Sequence, residues 1–196
     1  MGSSTQLFDP AALADRLRTR ARADGVWHGR DQDAGTMLFA AADPSTQLWV
    51  LESGLVKLHY LTAAGEDWVK SFIADRGLFT ASGDLGVDGV ARFGATCLEP
   101  CRVAAIPLTW LDRSLTTDRD LQGDFARFAA WLQARKQQRE EALLCRSAEQ
   151  RYRDFCAADG GLAARLHQAD IARYIGITPV ALSRIRRRLG LTGTTA

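Results

Sequence analysis

Residues 171–189 read IARYIGITPVALSRIRRRL. Ile171, Ile175, Ile177, Leu182 and Ile185 fall at the apolar positions of two short helices packed across one another. Ala172 is small where the second helix must cross the first. Gly176 follows four residues later, where the chain leaves the first helix and needs a positive φ. Thr178 can cap the second helix, and Pro179 suits its first turn. The turn is too short for an antiparallel hairpin, so the spacing predicts a helix-turn-helix. Its outward side carries Val180, Ala181, Ser183, Arg184, Arg187 and Arg188. Small and hydrogen-bonding groups lie at the N-terminal half for base edges, and arginines at the C-terminal half for phosphates. Thr178 and His167 join this set as phosphate or cap contacts. A helical hairpin with a solvated basic face is the plainer reading. Five apolar positions, alanine, glycine, cap and proline agreeing in one register argue against it.

Charge is divided in the same sense. The 196 residues carry a net charge of +2. Residues 147–196 hold eight arginines against four acids, and residues 1–146 hold 17 basic against 19 acidic groups. The positive excess therefore sits on the segment expected to meet a polyanion. No apolar run approaches the ~20 residues that span a bilayer, and no signal-peptide core is visible, so a cytoplasmic protein with no membrane partner is expected.

Upstream, the period changes. Asp9-Pro10 opens a helix with Leu13 and Leu17 on one face, closed by Gly25. From Met37 the pattern alternates: Leu48, Val50, Leu55 to Leu61 and Trp68 to Ile73 read as strands. Turns fall at Glu52-Ser53-Gly54 and Ala64-Gly65-Glu66. Short strands continue to Ile106, which predicts a β-sandwich or jelly roll of about 100 residues. After Pro107 the chain is helical. Leu121, Phe125, Phe128 and Leu132, then Arg135, Arg139 and Ala142, repeat at four and three as in a coiled-coil seam. A helix lying on its own β domain gives the same spacing. Its length and charged other faces favour a homodimer interface at Leu121, Phe125, Phe128 and Leu132. Ser147 to Gln150 has capping-box spacing and marks a hinge. The expected organisation is α+β: an N-terminal helix and β-roll over 1–117, a dimerisation helix over 118–146, and an all-α helix-turn-helix domain over 147–196.

With these stretches in view, the chain resembles the Crp/Fnr family of transcription regulators. Residues 171–189 look like the family's DNA-binding segment. LWVLESGLVKLHYLTAAGEDWVKSFIADRGLF, residues 48–79, looks like its cyclic-nucleotide-binding-type β-roll. The resemblance implies a homodimer on near-palindromic duplex DNA, a signal sensed in the β-roll, and RNA polymerase as a further partner. An effector pocket would fall at Gly83, Asp84, Leu85 and Arg92.

Four departures matter. Cyclic-nucleotide binders carry a Gly-Glu pair and, about ten residues on, an Arg-Ser-Ala run on the phosphate. Here Gly83-Asp84-Leu85 has the shorter acid. Aligned through CLEP (residues 97–100), Ala91 and Arg92 stand at the Arg-Ser positions; counted from Gly83, the arginine position is nearer Gly94. A phosphate buried without its cation is costly, so cyclic AMP is not expected to bind. The N-terminal cysteine cluster of the oxygen-sensing branch is missing, since all four cysteines follow residue 96. Few residues flank the helix-turn-helix, so the family's β-hairpin wing is expected to be reduced or absent. Within the family's Glu-x-x-Ser-Arg pattern, Val180 replaces the acid while Ser183 and Arg184 remain.

No cofactor is expected. His59, His28 and His167 are conceivable haem ligands, but a lone strand histidine is more often simply hydrogen-bonded. Cys97, Cys101, Cys145 and Cys156 supply no zinc tetrad and read as buried free thiols. No phosphate-cradling loop or Ser/His/acid arrangement supports an enzyme. The rival reading is a ligand-binding regulator whose helix-turn-helix serves protein interaction.

Overall fold

The computed structural model describes residues 8–81, 89–158 and 160–191. Helix α1 (Pro10–Ala23) precedes eight strands: β1 (Gly29–Gln32), β2 (Met37–Phe39), β3 (Gln47–Ser53), β4 (Leu55–Leu61), β5 (Asp67–Ala74), β6 (Gly77–Thr80), β7 (Gly94–Cys97) and β8 (Cys101–Pro107). Helices follow: α2 (Leu108–Thr117), α3 (Arg119–Cys145), α4 (Ala148–Ala158), α5 (Gly160–Arg165), α6 (Gln168–Tyr174) and α7 (Pro179–Arg188). Among the described residues no strand follows Pro107.

The strands form two antiparallel sheets, ordered β1-β8-β3-β6 and β2-β7-β4-β5. Trp49, Leu51, Val56, Leu58, Phe79, Phe93 and Val103 fill the space between them. The β3–β4 turn is tight because Gly54 has φ +107°, and a Cβ there would meet Cys101 Sγ at 2.6 Å. The first sheet is covered on its outer face as well. Leu48, Val50, Leu78 and Ile106 pack against Leu13 and Leu17 of α1, Leu111 of α2 and Leu121, Phe125 and Phe128 of α3. Sandwiching between sheet and helices makes β3 apolar at consecutive positions rather than alternating ones.

The expected helix starts are present. Asp9 Oδ1 accepts from Ala11 N, and Asp118 Oδ1 accepts from Leu121 N at 3.0 Å. Ser147 and Gln150 bond reciprocally, Gln150 N to Ser147 Oγ at 3.2 Å and Ser147 N to Gln150 Oε1 at 2.9 Å. That box lets the chain turn from α3 into α4 and fold the last helices back onto the second sheet.

Candidate nucleic-acid interface and effector cavity

The deciding stretch folds as its spacing predicts. Ile171, Ala172, Ile175, Leu182 and Ile185 are buried in one cluster with Tyr152 and Leu166. Gly176 adopts φ +77°, and a Cβ there would lie 2.9 Å from Leu143 Cδ2. Thr178 Oγ1 accepts from Ala181 N at 3.2 Å, with Pro179 at the first position of α7. Thr178, Val180, Ser183, Arg184, Arg187 and Arg188 are exposed along one side, and Ala181 is half-buried. Arg188 is tied to Glu149 of α4, its Nε 3.0 Å from Oε2. Among the described residues no acid pairs with Arg184 or Arg187, so both guanidiniums are open to phosphate or base edges. His167 is exposed before α6 and makes no side-chain cap bond.

This module is seated on the outer face of the second sheet. Phe72 of β5 meets Tyr174 at 5.3 Å between ring centroids, and Tyr174 meets Phe155 at 5.3 Å. Lys57 of β4 donates to Asp170 of α6 at 3.0 Å and to Asp67 at 2.6 Å. Arg165 of α5 donates to Asp75 at 2.6 Å and pairs with Glu99. Arg139 of α3 donates to the carbonyls of Val69 and Tyr174, both at 2.9 Å, and of Lys70 at 2.5 Å, while stacking on Tyr174. Its burial, with carbonyls rather than carboxylates as partners, lowers its pKa from the ordinary value.

Lys70 is the extra residue of a β-bulge. Ser71 pairs with Leu58 and Val69 with His59, leaving Lys70 unmatched. A bulge redirects a side chain out of the alternating rows. The Lys70 ammonium here lies over the Phe93 ring, 4.3 Å from its centroid. Burial, with Lys136 and Arg139 nearby, lowers its pKa to about 8. It borders a cavity of about 590 Å³ between the β-roll and α3. Leu58, Ile73, Phe79, Phe93, Phe125 and Leu132 give apolar walls, and Lys70 and Lys136 stand at the polar side. A second cavity of about 720 Å³ adjoins it, sharing Lys70, Ser71, Phe93, Leu132 and Lys136 and adding Arg92, Arg135, Arg139 and Glu140.

No family model matches the chain. It is 25% identical over 174 residues to the electron transport regulator A of Shewanella oneidensis, a match covering 81% of this chain and 67% of that protein. It is 27% identical over 180 residues to the anaerobic regulatory protein of Pasteurella multocida, covering 80% of this chain and 61% of that one. The chain thus spans about two thirds or less of these relatives. Among solved structures, FixK2 from Bradyrhizobium japonicum aligns with a TM-score of 0.72 at 17% identity, over 87% of this chain and 89% of that one. The c-di-GMP responsive regulator CLP from Xanthomonas campestris gives 0.71 at 16% identity, over 91% and 95%. The chain has the fold of Crp/Fnr regulators.

Against the Crp/Fnr pattern, Gly83, Asp84 and Leu85 lie outside the described residues. Arg92 is described; it is exposed, donates its backbone N–H to the Ala81 carbonyl at 3.1 Å and borders the larger cavity. The seam expectation is corrected. Leu121, Phe125 and Phe128 are 1%, 8% and 8% exposed, packed inside the chain's own core, with Leu132 partly buried against them. The apolar stripe goes to the nearest apolar surface, which is the covalently attached sheet and α1. The face one residue further on stays open. Gln122, Ala126, Ala129, Gln133, Lys136 and Glu140 are all exposed, spaced four and three.

The thiols differ from the uniform burial expected. Cys97 and Cys101 are buried, but Cys145 is exposed and Cys156 half-buried, where helix ends place them. Burial beside Cys101 pushes the Cys97 thiol up to about 12. His59 stands 3.0 Å from Thr96 Oγ1 through Nε2 and 3.3 Å from Asp67 through Nδ1, a histidine held on the sheet's outer face. His28 is exposed. Lys70, Arg139 and the Lys57–Asp170 pair were not singled out by spacing as site residues. The only forewarning was the Arg139 position within the helix period.

Proposed function

We propose that the chain is a DNA-binding transcription regulator of the Crp/Fnr type, working as a homodimer whose β-roll senses a small molecule. The observation that carries this reading is the open face of α7. Val180, Ser183, Arg184 and Arg187 project together from a capped, internally packed helix, and among the described residues neither arginine is consumed by an acid. In this reading Ser183 and Arg184 meet base edges, with Val180 against a thymine methyl and Ala181 beside it. Thr178, His167, Arg187 and Arg188 meet phosphates. Arg188 must then exchange Glu149 for a phosphate, a trade between two charge-assisted partners.

The dimer forms along the open stripe of α3 rather than the buried one. Ala126 and Ala129 allow close helix approach, and Lys136 and Glu140 supply opposite charges across a parallel pair. Leu144, 77% exposed near the helix end, extends the seam. Pairing there closes the mouth of the 590 Å³ cavity, because Gln122, Ala126, Ala129, Gln133 and Lys136 border it. Two recognition helices must reach major grooves ~34 Å apart. RNA polymerase contact belongs to the family's mode of action and is carried over with it.

Fluorescence anisotropy on a random duplex and on a selected near-palindromic duplex tests the reading. The affinity should fall steeply with salt, as release of counterions requires, and the selected site should be preferred. Binding indifferent to salt overturns it in favour of a protein-interaction module centred on exposed Val180.

A further inference from the structure

We propose that the cavity between the β-roll and α3 takes an apolar ligand bearing a single carboxylate, whose charge is met by Lys70 and Lys136. The proposal rests on the reading of this chain as an effector-controlled regulator and names the effector's chemical class.

Three observations carry it. First, the walls are aliphatic and aromatic, and the volume of about 590 Å³ lies within the range of small-molecule sites. Second, the cations there lack an anion. The half-buried Lys70 ammonium has an aromatic face for company, with Lys136 and Arg139 as charged neighbours of its own sign. Among the described residues no carboxylate pairs with Lys70 or Lys136. A half-buried ammonium against an aromatic ring, with the exposed Lys136 at the rim, is poorly solvated, and a bound anion relieves it. Third, the described lining of this cavity contains no Asp or Glu. A hydrocarbon body suits these walls, and a carboxylate on it meets no like charge among the described lining residues.

The bulge connects such a ligand to the DNA-binding module. Lys70 presents its ammonium to the cavity, and its carbonyl accepts from Arg139, which also holds the Tyr174 carbonyl at the end of α6. A ligand that draws the Lys70 side chain toward its carboxylate acts on the backbone that Arg139 grips. Titration of Lys70 must be judged beside the other groups facing these cavities: Arg135, Lys136, Arg139 and Glu140 of α3, Tyr60 and Arg92 of the β-roll, and Tyr174 of α6.

The test is calorimetry on the full chain at pH 7 with decanoate and 4-phenylbutyrate, each against its alcohol, and with cyclic AMP. At least one acid should bind tenfold or more tightly than its alcohol. Which acid wins separates a fatty from an aromatic effector. The preference should shrink to less than twofold in K70M and at pH 9.5, and should weaken severalfold in K136M, whose exposed position leaves folding intact. Alcohols matching their acids, cyclic AMP outbinding both acids, or a preference undiminished in both K70M and K136M would overturn the proposal. DNA affinity is measured in parallel, without ligand and with each acid. Its absence in every condition with the acid preference intact sinks the DNA-binding reading alone, and the converse result sinks this proposal alone.

Discussion

The Lys57 ammonium lies 3.0 Å from the Asp170 carboxylate, joining the second strand pair of the roll to the first helix of the helix-turn-helix across 113 positions of sequence. Both side chains are nearly enclosed, 11% and 9% exposed. Asp67 also accepts from the same ammonium, at 2.6 Å, and so little exposure leaves a lone charge here poorly solvated. The pair therefore specifies how the module seats on the sheet, since a shifted docking would strand one charge.

K57M leaves Asp170 and Asp67 without the cation they share. The expected cost is on the order of 3–5 kcal/mol, the range for breaking one side of a buried pair. Pairing the change with D170L should restore only part of that loss, because Asp67 still lacks its cation. Urea unfolding measures both. Equal stability of K57M and wild type would show that the module is not held by this contact.

How much of this was legible in the sequence depends on what each residue answers to. Gly176, Thr178 and Pro179 answer to local backbone demands, so the helix-turn-helix was readable from spacing alone. Phe125 and Phe128 answer to whichever apolar surface lies nearest. Periodicity shows that a helix has a greasy face, but not whether that face meets its own domain or a partner. Lys70 was hidden for another reason. Its redirection depends on a register shift between β4 and β5, and a one-residue shift sends a side chain to the opposite face.

F128D should now act on the single chain. A charge among Phe8, Phe125 and Trp131 has no partner, and the loss of the ring alone is worth about 3–5 kcal/mol. The double change A126E/A129E should leave each chain folded while placing like charges across the proposed seam. Light scattering should then report about 21.5 kDa for the double variant instead of twice that. A dimeric A126E/A129E with normal DNA affinity would move the interface elsewhere.

Lys70 gives stability a defined pH dependence. Its pKa is about 8 when folded and 10.5 in the open chain. Below pH 8 it is charged in both states, and the burial penalty is fully present. Between about 8 and 10.5 the unfolded chain holds the proton more than the folded one, so this group makes stability rise with pH. K70M should be more stable than wild type near pH 7, on the order of 1–3 kcal/mol, with the gap closing by pH 10.5. Urea midpoints at pH 7 and 10 settle it, and a gap that widens with pH would mean the ammonium is already paired.

Arg184 and Arg187 stand three residues apart on α7, both exposed and without an acid partner among the described residues, yet they should fail differently. An arginine on a guanine edge binds O6 and N7 together, a contact worth roughly 1–3 kcal/mol of discrimination. Val180 offers no acceptor to a cytosine amino group and suits a thymine methyl instead. R184A should therefore flatten base preference at one position in each half-site while leaving neighbouring positions intact. R187A should weaken every sequence alike and lower the salt slope by about one, as loss of a phosphate contact does. Selection from a random duplex library, run on wild type and both variants at two salt concentrations, separates these effects. If R184A selects the same motif with the same information at every position, α7 is not reading bases in this register. The exposed Val180 face would then be better explained as a surface for another protein.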